Sequence, residues 1–255
     1  AGTTIAFAYY LFKEGKIQSE DLDGLEPEWG EIDAALELLD KIANREGIGD
    51  VMAEGSAFFG KHFGVENLAA QVNGLEMPMH DPRAFSGMAI VYMTSPRGAC
   101  HMSADMYNVQ MGQTNEAFDI ESEDRFANEA EIAARLQDFR CITNSALICN
   151  FYPIFADEFL QLLNLTTGWN YSLEDLKKTG ERIFTLMRLF NVKMGYNPEN
   201  EHLPDIVLKP LEGATEGHVP DTEAQLETWY EFRGWDRKSG APTEKQLGAL
   251  GLDSL

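Results

Sequence analysis

At 255 residues with 44% apolar side chains, the chain can bury one large hydrophobic core or two modest ones. Its 42 acidic residues against 20 basic ones give a formal charge of −22, a surface that repels phosphate backbones and argues against nucleic-acid binding. No apolar run approaches the roughly 18 residues of a membrane span, and three cysteines, an odd number, argue against a disulfide framework. A reducing cytoplasm fits that cysteine usage. The acidic residues are dispersed, as in Glu20-Asp21 and Glu121 to Asp124, so they read as a solvated surface in preference to a docking face for a basic partner.

The opening Ala1 to Phe12 is apolar, but it lacks the basic n-region and small-residue cleavage site of a signal peptide and runs straight into Lys13-Glu14-Gly15-Lys16. It reads as a buried helix that starts abruptly, as though inside a longer chain. Ile32, Ala35, Leu36, Leu38, Leu39 and Ile42 recur at helical spacing and predict a helix over 31–44. A second is predicted over 50–62, and an apolar segment over 84–94. Between them Met77-Pro78-Met79-His80-Asp81-Pro82 cannot be helical throughout, and a domain boundary is expected within 64–82. Long helical stretches follow over 123–149 and 151–165. Ser172 with Asp175 reads as a capping box opening a helix through Lys193, closed by Gly195. The proline-rich 196–222 reads as an ordered excursion over the surface, before short helices at 222–232 and 244–249. Only Ile206-Val207-Leu208 reads as β-like. The expected fold is all-α with long irregular loops.

Two stretches carry the chemistry. Ser95-Pro96-Arg97-Gly98-Ala99-Cys100-His101 is a turn ending in a thiol and an imidazole, and Asn144-Ser145-Ala146-Leu147-Ile148-Cys149-Asn150-Phe151 sets a cysteine at the end of an apolar segment. Neither completes a site. One Cys and one His cannot close a four-ligand metal shell, and three cysteines cannot hold a cluster that needs four. The other ligands must therefore lie elsewhere. A lone histidine is more often structural than catalytic, but His101 follows a turn that can aim it into a cleft, and its ordinary pKa near 6.5 suits proton transfer. Adjacent residues point in different directions, which argues against a Cys100–His101 nucleophilic pair. Of two readings of Arg97, an anion clamp and a pairing with a buried carboxylate such as Asp81 or Asp105, the pairing is expected, and His80-Asp81-Pro82-Arg83 is expected to form a loop-fixing network. Arg188 reads as a helix C-terminal cation and Asn191 as a local backbone partner. Were 141–149 one helix, Cys141 and Cys149 would stand about 12 Å apart along its axis, too far to bridge. Asn144 is a polar residue in an apolar stretch, and a helix break after it would turn Asn144 and Cys149 toward one ligand.

At these residues the chain resembles the tungsten-dependent aldehyde:ferredoxin oxidoreductases. The likeness runs through the opening Ala-Gly-Thr-Thr-Ile-Ala-Phe-Ala, Gly49-Asp50-Val51-Met52-Ala53-Glu54-Gly55, His80-Asp81-Pro82-Arg83, the Thr94 to His101 turn, Leu147 to Phe151, Arg188 to Val192, and Leu250-Gly251-Leu252. It implies two helical domains, 1–70 as the end of a middle domain and 71–255 as a C-terminal one, with a β-rich domain, a first pterin motif and three cluster cysteines upstream. It implies that His101 is the catalytic proton donor or acceptor, that Cys149 is the fourth ligand of a [4Fe-4S] cluster, and that Asn144, Ile148 and Ser103 contact the cofactor. The implied cofactors are a tungsten (or molybdenum) bis-pterin and the [4Fe-4S] cluster. The implied reaction oxidises a small aldehyde to a carboxylic acid, with ferredoxin or another electron-transfer subunit as acceptor, in a cytoplasmic homodimer or larger complex. Asn144 departs from the family's usual aspartate, and Ser103 stands where some members have a basic residue, which leaves room for the tungsten subunit of a benzoyl-coenzyme A reductase-type complex. The rival from another class is a non-catalytic helical scaffold. Either way, the 255-residue chain alone is expected to hold neither tungsten nor stoichiometric iron.

Overall fold

The structure, a computed structural model, describes residues 1–121, 127–152 and 154–253. The predicted all-α class is what forms: eleven α-helices and one two-stranded hairpin among the described residues. Four helices, α1 (Gly2–Lys13), α2 (Asp33–Asn44), α3 (Ile48–Ala53) and α4 (Ser56–His62), gather around Phe7, Leu11, Leu38, Met52 and Phe59. The helix expected over 50–62 is two helices, because Gly55 at φ +95° turns the chain and the Ser56 amide donates 2.9 Å to Glu76 instead of continuing the ladder.

This first core ends at Ala69 and the second begins at Val72. Between them, strands β1 (Gln71–Val72) and β2 (Leu75–Glu76) pair antiparallel around Asn73-Gly74, both at positive φ, the arrangement a tight hairpin turn needs. The sequence reading missed this hairpin although Asn-Gly signals it. The one segment read as β-like, Ile206-Val207-Leu208, instead lies in a 3-10 turn over Asp205–Val207. A strand needs a neighbouring ladder; here the carbonyls of Ile206 and Lys209 accept from the Arg83 guanidinium at 3.2 and 3.0 Å, and Val207 packs into the second core. Arg83 also grips Asp81 at 2.6 Å, the loop-fixing network expected there.

The second core is built on α5 (Gly87–Thr94), α6 (Met106–Gln110), α7 (Glu129–Ser145), α8 (Ala156–Thr167), α9 (Leu173–Lys193), α10 (Thr222–Arg233) and α11 (Glu244–Leu250). All eight residues of α5 are buried, which accounts for its unbroken apolar run. Helix α7 stops at Ser145, short of the expected 149, and residues 122–126 of that stretch lie outside the described residues. Ser172 opens α9 with the predicted capping box: the Asp175 amide donates to its hydroxyl, and its own amide donates to the Asp175 carboxylate.

Arg188 corrects a sequence expectation. It does not sit on a solvated helix end: its guanidinium is buried against Tyr196, Trp229, Tyr230 and Trp235 and pairs with Glu201 at 2.6 Å. Asn191 does bond a backbone group, but the remote carbonyl of Pro96 at 2.5 Å.

Two predictions follow from this packing. A Cβ at Gly180 of α9 would stand 2.4 Å from the Asp138 carbonyl oxygen of α7. Helix propensity favours Ala over Gly by about 1 kcal/mol, but overpacking against backbone costs about 1–3 kcal/mol. Gly180→Ala is therefore expected to destabilise by about 1–2 kcal/mol in urea unfolding, and a gain in stability would contradict the close crossing. Glu201→Ala strands the buried Arg188 charge and is expected to cost about 3–5 kcal/mol, read as a lower denaturant midpoint.

Candidate functional site

Helix α5 delivers the chain into the turn Ser95–Cys100 and a 3-10 turn over His101–Ser103. Gly98, at φ +92°, lets this turn lie against the hairpin: a Cβ there would meet the Val72 oxygen at 2.5 Å, while the Ala99 amide donates to that same oxygen at 3.2 Å. The Ser95 and Ser103 hydroxyls share a 2.7 Å hydrogen bond across the turn. Arg97 does not reach a carboxylate. Asp81 is held by Arg83 and Asp105 by Arg140, and the Arg97 Nε donates instead to the Cys100 sulfur at 3.1 Å.

His101 is half-buried, with its ring 5.3 Å from the His80 ring, which in turn stacks flat on Tyr107 at 4.0 Å. Tyr92 of α5 fixes His80 by donating 2.9 Å to its carbonyl. Burial first, then the neighbouring His80 and Arg97, hold the His101 imidazole below its ordinary value of 6.5.

The second stretch begins on the last turn of α7. Asn144 is exposed there, the Ile148 amide closes back on the Thr143 carbonyl at 3.0 Å, and Leu147 takes φ +59° to reverse the chain. Cys149 follows on the outside of this reversal. It is the exposed thiol of the three, Cys100 and Cys141 being buried, and burial pushes the Cys141 thiol up to about 12. With α7 ended at Ser145, the single helix assumed for the Cys141–Cys149 spacing does not exist.

Two cavities flank the α7 C-terminus. One, of about 610 Å³, has Arg97, Ser103, Arg140 and Asn144 on one wall and Ile183, Met187 and Phe190 of α9 on the other. The second, of about 90 Å³, is lined by Asp105, Arg140, Thr143, Ile148, Cys149 and Asn150. Ser103 and Asn144 thus share one cleft, while Ile148 and Cys149 face the next. His101 lines neither; its neighbours Met102 and Ser103 line the larger. Arg140 is the charged side chain common to both, and the sequence reading missed it. Its signal was an arginine set between Phe139 and Cys141, one helical turn before Asn144. Among the described residues, no group of three or more His, Cys, Asp and Glu side chains is placed to hold a metal ion.

The family model described as "Aldehyde ferredoxin oxidoreductase, domains 2 & 3" matches residues 1–252. The chain belongs to the aldehyde ferredoxin oxidoreductase family. Tungsten-containing aldehyde ferredoxin oxidoreductases of Pyrococcus furiosus and Pyrococcus abyssi are each 34% identical, over 98% and 100% of this chain but 42% and 43% of their own length. An aliphatic sulfonate oxidoreductase WOR-like subunit of P. furiosus is 29% identical over 98% of this chain and 39% of its own length. The chain therefore spans about two fifths of these relatives. Among solved structures, the active-site complex BamBC of benzoyl coenzyme A reductase, with 1,5-dienoyl-CoA, superposes with a TM-score of 0.70 at 21% identity, over 98% of this chain and 43% of that one. This likeness extends the family fold to a distant enzyme. Among the described residues, no helix is long and apolar enough to cross a membrane.

The His101 environment has a measurable consequence. Because its folded pKa is depressed, the unfolded chain binds the proton more readily between that value and 6.5. The corresponding stability is present above pH 6.5 and lost as pH falls through the folded pKa. Titration of the His101 ring protons by NMR is expected to give a midpoint below 6.5; a midpoint above it would overturn the assigned environment.

Proposed function

We propose that this chain forms the helical wall of a tungsten-pterin and [4Fe-4S] oxidoreductase that oxidises aldehydes to carboxylic acids and passes the electrons to ferredoxin or an equivalent partner. The observation that carries the reading is Cys149: an exposed thiol, unlike the buried Cys100 and Cys141, beside a cavity that shares Arg140 with the 610 Å³ cleft. That cleft has the size of a cofactor or ligand site. We assign residues 1–70 and 71–255 to the two helical domains.

The donor set fits these groups in part, as expected of one wall. Cys149 supplies a single thiolate, and Ser103, Asn144 and the Ile148 backbone offer neutral hydrogen-bonding groups of the kind a pterin ring takes. The buried Nε of Arg140 has no hydrogen-bond partner and belongs to a side chain lining both cavities. When bound, the metal and pterin would supply the two-electron redox step, and the protein the positioning and proton handling. His101, kept neutral by burial and by His80, takes a proton from, or donates one to, the substrate oxygen. The apolar α9 wall of Ile183, Met187 and Phe190 limits water. The departures at Asn144 and Ser103 support the benzoyl-coenzyme A reductase-type subunit as a second reading, separated by assaying aldehyde oxidation against aromatic acyl-CoA reduction.

In the full-length enzyme, His101→Ala is expected to lower kcat by about two to four decades, the range for a positioned acid–base group, with tungsten content unchanged. Cys149→Ala is expected to remove the iron–sulfur electron paramagnetic resonance signal. Activity within a few-fold of the parent in the first variant would remove His101 from the mechanism. A retained signal in the second would remove Cys149 from the cluster, and an enzyme lacking both metals would leave the scaffold.

A further inference from the structure

Arg140 lies one helical turn before Asn144 on α7, with its side chain 11% exposed. One end of the guanidinium pairs with Asp105, two residues past the His101–Ser103 turn. The other donates to the Asn150 side-chain oxygen, one residue past Cys149. The Asn150 amide then reaches the Met102 sulfur at 3.9 Å, so the two site-bearing segments, more than 40 residues apart in sequence, are joined through this one fork. Helix α7 itself is anchored within one turn before Arg140, by Arg233 on Asp138 and by Trp229 on Gln137. It therefore offers a rigid post for the fork.

We propose that Arg140 is a positioning residue that clamps the Cys149 loop to the His101 turn, setting the spacing between the electron-transfer side and the proton-transfer side of the site. The geometry suits guanidinium specifically. A planar fork reaches two acceptors in fixed directions, whereas an ammonium is a compact point charge whose three donors rotate on a flexible stem. Asp105 and Asn150 are also chemically unequal, a carboxylate and an amide, so each arm can be cut separately. The positional claim stands on these contacts. Its electrostatic consequence rests on the reading of Cys149 as a cluster ligand given above, because a buried cation near a cluster favours the reduced, more negative state.

Hydrogen exchange on the full-length enzyme, read by peptide mass, tests the clamp. Arg140→Met is expected to speed exchange at least tenfold in both 101–105 and 147–152, with 176–190 of α9 unchanged. Arg140→Lys keeps the arm to Asp105 and is expected to loosen 147–152 alone. Asp105→Asn cuts the other arm and is expected to loosen 101–105 alone, which keeps the clamp testable should Arg140→Met fail to fold. Rates within twofold of the parent in both segments overturn the proposal, as does a uniform rise that includes α9, since that is plain destabilisation. In the loaded enzyme, potentiometric titration of the iron–sulfur signal is expected to show the reduced-to-oxidised ratio of Arg140→Met falling at least tenfold at fixed potential, about 59 mV for a one-electron couple, with Arg140→Lys near the parent. An unmoved midpoint overturns the electrostatic part. Should Cys149→Ala leave the iron–sulfur signal intact, the ligand reading fails while the exchange rates still decide the clamp.

Discussion

Two arginines inside the second core set the frame on which everything else is hung. Arg188 of α9 and Arg233 of α10 lie on either side of an aromatic group formed by Phe184, Trp229 and Trp235, with cation-to-ring distances from 4.4 to 5.9 Å. Each is closed by one carboxylate at 2.6 Å, Glu201 for Arg188 and Asp138 for Arg233. Taking two guanidinium ions out of water is expensive, and pairing alone offsets it poorly. Here each ion also meets ring faces, and the carboxylate lone pairs are shared out: Glu201 accepts from Tyr196 and Tyr230 at 2.8 and 2.7 Å, while Arg233 also donates to the Ala134 carbonyl at 2.8 Å. The frame ties α7, α9, α10 and the 196–204 segment together in directions that apolar packing alone would leave free.

From that frame the site inherits its geometry. Gln137 of α7 donates to Thr94 at 2.9 Å and accepts from Trp229 at 3.1 Å, so the C-terminus of α5 is fixed to the same helix whose end carries Asn144. Gly180 lets α9 lie close enough to α7 for its Ile183–Phe190 face to form the opposite wall of the large cleft. Asn191 completes the enclosure by holding the Pro96 carbonyl of the turn. Two segments distant in the chain, the 95–103 turn and α9, are thereby fixed to each other and to α7, partly by the Asn191–Pro96 contact on the cleft wall itself.

What could be read in the sequence divides along the same line. Helix periodicity, the Ser172 capping box and the apolar α5 run are local signals, and the helices follow them with shifts of a few residues. The two chemistry-bearing stretches were also recognisable, because a thiol and an imidazole after a Pro-Arg-Gly turn stand out locally. Side-chain partnerships across 13 to 140 residues carry no local signature. Arg188 reads as a helix-end cation until Glu201 is seen beneath it, and Arg97 reads as a carboxylate partner until Arg83 and Arg140 are seen to have taken both carboxylates. Ile206-Val207-Leu208 has strand composition, but among the described residues no neighbouring strand receives it, and Arg83 takes the Ile206 carbonyl. The Asn73-Gly74 hairpin was legible and was passed over in an otherwise helical pattern.

The electrostatics of the cleft run against those of the molecule. A chain of formal charge −22 presents, on the walls of its largest site cleft, two ionic side chains, Arg97 and Arg140, both cationic. Arg140 is ion-paired with Asp105, whereas Arg97 is exposed and donates to a thiol sulfur. The surplus positive charge in the cleft is thus a single exposed guanidinium at its mouth. Surrounding acidic surface repels anions from the rest of the protein and leaves this mouth as the favoured point of approach. Burial, then His80 and Arg97, lower the pKa of the His101 imidazole nearby, which favours its uncharged form. The cleft thus joins a buried arginine held by Asp105 and Asn150 to an exposed one that donates to the Cys100 sulfur.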